Sequence, residues 1–150
     1  MGSYEVKHPA ADAYLRRYKD ALRESKYLEE HIAFLRAQAT GLQRQLDGMP
    51  RGSPSKDRIA AIVSGVVDEE MAIIEKLAQV HEVRREVMKC IECVPNERAR
   101  RVLFMDYIQV LPVEEIAEHI DRDCKAVYRD RRNALAYIEE HCAGVLQAAA

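Results

Sequence analysis

Residues 9–46 read PAADAYLRRYKDALRESKYLEEHIAFLRAQATGLQRQL, and this stretch decides the fold. It has no Pro after Pro9, and Gly41 is its only Gly. Ala, Leu, Glu, Arg, Lys and Gln, all strong helix formers, dominate it. Stepping by alternating threes and fours lands on Ala11, Tyr14, Tyr18, Ala21, Ser25, Leu28, Ile32, Leu35, Ala39, Leu42 and Leu46. Only Ser25 is not apolar. A 3–4 alternation is a coiled-coil seam, because about 3.5 residues per turn keeps one stripe facing a partner. Charged residues stand between them: Arg16, Arg17, Lys19, Asp20, Arg23, Glu24, Lys26, Glu29 and Glu30. At about 1.5 Å per residue the helix would be roughly 55 Å long. Pro9 suits its first turn, where no N–H is needed.

Residues 47–56, DGMPRGSPSK, hold two Gly, two Pro and two Ser and read as a loop, with Ser55 a fair N-cap for a second helix. From Asp57 to about Val94 the stepping resumes through Ile59, Val63, Val66, Glu70, Ile73, Leu77, Val80, Arg84, Val87, Ile91 and Val94. Ile62, Val67, Met71, Ile74, Val83 and Met88 lie beside this seam, so the apolar face is wider than one partner helix covers. Either a second copy of the chain or the C-terminal segment covers the rest. We expect the second copy: a homodimer built by the hairpin as a bundle of four long helices, since two-helix hairpins are poorly stable alone. The expected fold class is all-α. Residues 1–94 form a long antiparallel, coiled-coil-like hairpin for self-association, and residues 95–150 form a helix-turn-helix module.

The module carries the functional signal. Pro95 breaks the long helix and Asn96 can cap the next. ERARRVLFMDYIQ turns Val102, Leu103, Tyr107 and Ile108 inward; VEEIAEHI turns Ile116, Ala117 and Ile120 inward. After a tight connection at residues 121–123, CKAVYRDRRNALAYIEEHC turns Val127, Ala134, Leu135 and Ile138 inward. A short helix, a three-residue turn and a longer helix make the helix-turn-helix plan. Ala117 is small where the helices must cross, Asp123 can cap the third helix, and Val127 anchors it. Between Arg122 and Arg132 stand five cations (Arg122, Lys125, Arg129, Arg131, Arg132) and two acids (Asp123, Asp130), a local balance of +3. Lys125, Tyr128, Arg129 and Arg132 share one side of the helix. Together with Arg122 they are the candidates to read bases and phosphates, while Arg98, Arg100 and Arg101 are candidates to hold the DNA backbone.

The stretch RVLFMDYIQVLPVEEIAEHIDRDCKAVYRDRRNALAYI resembles the last domain of bacterial primary sigma factors, the part that reads the upstream promoter element. The matching residues are Asp106-Tyr107, Glu114-Glu115-Ile116-Ala117, Asp123, Val127 and Ala134-Leu135. The match covers roughly residues 94–140 and departs at Asp121, where that family has Gly, and at Asp123, where it has Ser or Thr. The other sigma domains are absent. The layout is similar to small sigma-like regulators of phages and prophages of Gram-positive bacteria. The resemblance implies double-stranded DNA as partner and transcription regulation as function and, by analogy with sigma domains, contact with RNA polymerase.

Other chemistry is excluded or weak. The net charge of −2 and pI near 6.2 give no global push toward nucleic acid, so a basic site must be local. No apolar run reaches a membrane span, and MGSYEVKHPAADAY has neither a secretory h-region nor, with Val6, the myristoylation pattern. A cytoplasmic protein with reduced thiols is expected. Cys90 and Cys93 form C-x-x-C, but on a helix; Cys124 and Cys142, or His119 and His141, are the residues that could complete a site, and buried or half-buried thiols rather than a metal site are expected; His81-Glu82 lacks the second His of a zinc protease. No catalytic residue, cofactor-binding residue or nucleophile motif emerges, and an enzyme is not expected. The rival reading is a helical interaction protein that binds and modulates a host protein, the helix-turn-helix being auxiliary.

Overall fold

The computed structural model describes residues 8–148, so residues 1–7 of the stretch considered for a targeting signal lie outside the described part. Among the described residues the chain is all-α: α1 (Pro9–Asp47), α2 (Pro54–Glu92), α3 (Glu97–Leu103), α4 (Val113–Ile120), α5 (Cys124–His141) and α6 (Ala143–Ala148). No helix among them is long and apolar enough to cross a membrane. α1 and α2 pack together as a long hairpin.

The seam reading matches the observed burial. All eleven α1 positions of the 3–4 stepping are buried or half-buried, and so are those of α2 except Arg84. The loop is shorter than expected, because α1 runs to Asp47 and α2 starts at Pro54. Pro54 has no N–H to lose at that position, and the amides of Lys56 and Asp57 bond the Ser53 carbonyl at 3.0 and 3.4 Å. The chain enters α2 through Ser53 rather than Ser55. Gly52 takes φ +77° in this turn, a conformation that glycine adopts without steric cost.

The chain forms two compact units, residues 22–81 and residues 1–21 with 82–150, so packing cuts across the order 1–94, 95–150 read from the sequence. In the first unit Leu28, Ile32, Leu35, Val66 and Ile73 form the core, with Ala39 and Leu77 against it. Two ion pairs, His31–Glu69 at 3.1 Å and Arg36–Glu70 at 2.6 Å, link its helices. Ile62, Val67, Met71 and Ile74 beside the seam remain 45, 45, 62 and 46% exposed.

The second unit buries Ala11, Leu15, Val87, Ile91 and Val94 from the long helices, and most of the apolar positions of α3–α5. Val102, Met105, Ile116, Ala117 and Val127 make the helix-turn-helix core. At about 1.5–3 kcal/mol per fully buried aliphatic side chain, such a cluster is enough to hold these short helices, which would not persist alone. α3 does not stop cleanly. It widens into a π turn over Phe104–Ile108, closed by the Gln109 amide on the Phe104 carbonyl at 3.1 Å. Val110 then takes φ 57°, which lets the Leu111 amide reach back to the Met105 carbonyl at 2.9 Å.

Candidate nucleic-acid interface

The α4–α5 connection is set by its local chemistry. Asp121 ends α4 in the left-handed conformation (φ 53°, ψ 48°), which Asp adopts more readily than most residues with a Cβ. The Arg122 amide returns to the Ala117 carbonyl at 3.0 Å. Asp123 is extended and its Oδ1 accepts from the Ala126 amide at 2.9 Å, capping α5. Asn96 caps α3 in the same way, accepting from the Ala99 amide at 3.0 Å.

α5 is then held by charged pairs on its inner side. Asp130, 4% exposed, receives two bonds from Arg98 of α3, Nε at 2.7 Å and a terminal nitrogen at 3.1 Å. The Asp130 carboxylate holds the Arg98 guanidinium above its usual pKa through these bonds and their charge. One residue on, Arg131 lies 3.3 Å from Asp12 and 3.5 Å from Asp106, its guanidinium 5.6 Å from the Tyr107 ring centre. Burial works to lower the Arg131 pKa, but Tyr107, Asp106 and Asp12 outweigh it and raise it. Lys19 donates to Asp106 at 2.8 Å, and the Tyr107 hydroxyl donates to Asp12 at 2.5 Å. Tyr107 is wholly buried, and burial followed by that bond pushes its phenol pKa far up. At the far end of α5, Glu139 accepts from the first amides of α1, Ala10 and Ala11, both at 3.2 Å, and pairs with His8 at 2.9 Å. Burial raises the Glu139 pKa, but His8 and these amides outweigh it and hold the carboxyl low.

These contacts sort the candidate cations. Arg98 faces Asp130, and Arg100 donates to the Val94 carbonyl just beyond the end of α2 at 3.1 Å, so both have internal partners; Arg101 is exposed. On α5, Arg131 and Asp130 turn inward. Arg122, Lys125, Tyr128, Arg129 and Arg132 lie on the outer side, Tyr128 at 38% exposure and Arg132 exposed with the rest, and no ion pair among the described residues ties the four cations. The outward face between Arg122 and Arg132 thus carries four cations against one carboxylate, Asp123, which is engaged in capping. The inward pair is the part that the sequence pattern did not reveal. Its signal was present: Asp130 and Arg131 fall three and four residues after Val127 and before Ala134, on the core-facing stripe.

The thiols are separate from this face. Cys124 packs against the helix-turn-helix core, Cys90 is buried, Cys142 is half-buried, and Cys93 is exposed with its thiol donating to the Lys89 carbonyl at 3.3 Å. No group of three or more His, Cys, Asp or Glu among the described residues is arranged to hold a metal ion. Comparison with family models, curated proteins and solved structures gives no match.

Proposed function

We propose that the chain is a sequence-specific DNA-binding regulator of transcription, with α5 as the helix that enters the major groove. The observation that carries this reading is the sorting of cations. Those facing inward are matched to carboxylates, while Arg122, Lys125, Arg129 and Arg132 stand exposed together at the start of a capped helix. A hydrated basic face of this kind is free to gain from an anion that releases its counterions, and duplex phosphate is the anion that suits a helix-turn-helix. Tyr128 sits among these residues, partly exposed. The sigma-like resemblance supports the same reading, and contact with RNA polymerase rests on that analogy alone.

The test is a gel shift with DNA from upstream of the protein's own operon. Arg129→Ala should relax sequence preference at one position, by about 1–3 kcal/mol of discrimination. Arg101→Ala, on the preceding helix, should weaken specific and non-specific DNA alike and reduce the salt slope by about one unit. Parent-like binding by both variants would sink this assignment.

Self-association through the hairpin is the second part of the proposal. Val67, Met71 and Ile74 recur at four- and three-residue spacing and stay exposed, so nothing within one chain covers them fully. Sedimentation of the full chain should give a dimer, and Met71→Glu with Ile74→Glu a monomer. The interaction-protein reading has an observation of its own: Tyr27 and Phe34, seven residues apart on α1, are 67 and 64% exposed.

A further inference from the structure

We infer that a second copy of the chain docks on the exposed stripe of α2 the same way up, each α2 resting on the partner's α1, with Glu75–Lys26 and Asp57–Arg44 ion pairs formed between the copies. This rests on the self-association proposed above and adds its orientation. Two ion pairs mark the two broad faces of the hairpin of residues 22–81: His31–Glu69 lies along one and Arg36–Glu70 along the other. Glu70 is three residues after Val67 and four before Ile74, so the exposed apolar stripe of α2 opens on the Arg36 side. Asp68 and Glu75 each follow a residue of that stripe by one, and belong to an exposed row beyond it: Asp57, Ser64, Asp68 and Glu75. On α1, Arg36 is three residues after Ala33 and four before Thr40. The outer row of α1 on this same face is therefore Lys26, Ala33, Ala37 and Arg44, all exposed. Both rows step by seven, four and seven residues, one with acids at its ends and the other with cations. No ion pair among the described residues engages Asp57, Asp68, Glu75, Lys26 or Arg44.

Two hairpins can meet on this face by two-fold symmetry in two ways. With the axis across the helices, α2 meets the partner's α2, and the acid row runs beside its own copy while the cations of α1 do the same. With the axis along the helices, α2 meets the partner's α1. A rotation about that axis shifts nothing along it, so levels matched within one hairpin are matched between the copies. By the levels of the His31–Glu69 and Arg36–Glu70 pairs, Asp57 comes opposite the partner's Arg44 and Glu75 opposite the partner's Lys26. Ser64 and Asp68 come opposite the partner's Ala37 and Ala33, small residues that leave room for Val67 and Met71 beside them. Only this second arrangement joins unlike charges, and symmetry repeats each pair. Charges flanking an apolar seam set the orientation of coiled-coil partners in the same way. Glu29 lies in the row of Arg36, seven residues before it, and so turns toward its own α2. Both chains then leave the bundle, at residues 21 and 82, from the same end, so the two helix-turn-helix units are tethered to one end of it.

The experiment is sedimentation of the full chain at low salt, where exposed charges are least screened. Glu75→Lys and Lys26→Glu should each raise the dimer dissociation constant by about tenfold, since each sets like charges together at both symmetric places. Mixed in equal amounts, the two variants should dimerise like the parent. In the mixed dimer the two substituted residues meet each other, and the unchanged Lys26 of one chain meets the unchanged Glu75 of its partner. Asp57→Arg and Arg44→Asp, alone and mixed, repeat the test at the other pair, and circular dichroism checks that each variant is folded. A dimeric parent whose single variants match it, or weakened variants that mixing does not rescue, overturns this orientation and leaves self-association standing. A monomeric parent overturns both.

Discussion

Asp12→Ala should destabilise the unit containing the helix-turn-helix by about 2–4 kcal/mol, although residue 12 lies far from that motif in sequence. Asp12 is 5% exposed and accepts from the Tyr107 hydroxyl at 2.5 Å and from Arg131 at 3.3 Å, with Arg16 paired at 2.9 Å. The Arg16 pair is a half-exposed i,i+4 contact and contributes about 0.3–0.5 kcal/mol. Arg131 keeps Asp106. Most of the loss comes from the Tyr107 hydroxyl, wholly buried and left without its acceptor at a cost of about 1–3 kcal/mol. Tyr107→Phe removes only the donor and leaves Asp12 its two arginines, so it should cost about 1–1.5 kcal/mol. In the double variant neither group is stranded. The two effects should therefore fall short of additivity by about 1 kcal/mol or more. Urea denaturation followed by far-UV circular dichroism at pH 7 gives all four corners of the cycle. A loss under about 0.5 kcal/mol for Asp12→Ala, or strict additivity, would refute the claim that this bond fastens the first turns of α1.

Ile116→Asp places an uncompensated carboxylate at a wholly buried position and should cost several kcal/mol; an unchanged thermal melt would show that the α4–α5 core is misplaced. Val110→Gly should raise stability by about 1 kcal/mol, because Val110 holds φ 57° while 43% exposed, and a β-branched residue is strained there; a lowered Tm would contradict this. Since folding raises the Tyr107 pKa, its contribution is present below the unfolded value of about 10 and is lost as pH rises through the folded value. The parent should lose more stability than Tyr107→Phe on titration above about pH 10, and parallel curves would count against a buried neutral phenol.

What the sequence made legible was whatever a local rule governs. The 3–4 stepping identified the buried stripe of α1 from Tyr18 onward, because a helix face depends only on spacing, but at the start of the helix Asp12 and Leu15, outside the stepping, are buried as well. Asn96 and Asp123 were readable as caps because a cap acts within three residues. The basic outer face of α5 was visible as a run, but its membership was not. Arg98 and Asp130 are 32 residues apart, and Lys19 and Asp106 are 87 apart. A carboxylate bound for burial looks like a solvated one until its partner's place is known. The π turn and the left-handed Val110 were likewise illegible, since a β-branched residue disfavours positive φ and no local pattern marks the widened turn.

The bond between Arg131 and Asp12 spans 119 residues and closes a unit whose two parts lie on either side of residues 22–81. A ribosome adding about 5–20 residues per second needs roughly 6–24 s to travel that distance. Throughout that interval Asp12 has only Arg16 nearby, and Ala11, Leu15 and Tyr18 have no C-terminal third to cover them. The intervening hairpin can close first from its local contacts, while the unit that holds α3–α5 must wait for the chain to come back to where it started. Its birth order is therefore the reverse of its position in the sequence: the stretch that emerges first is among the last to find its place.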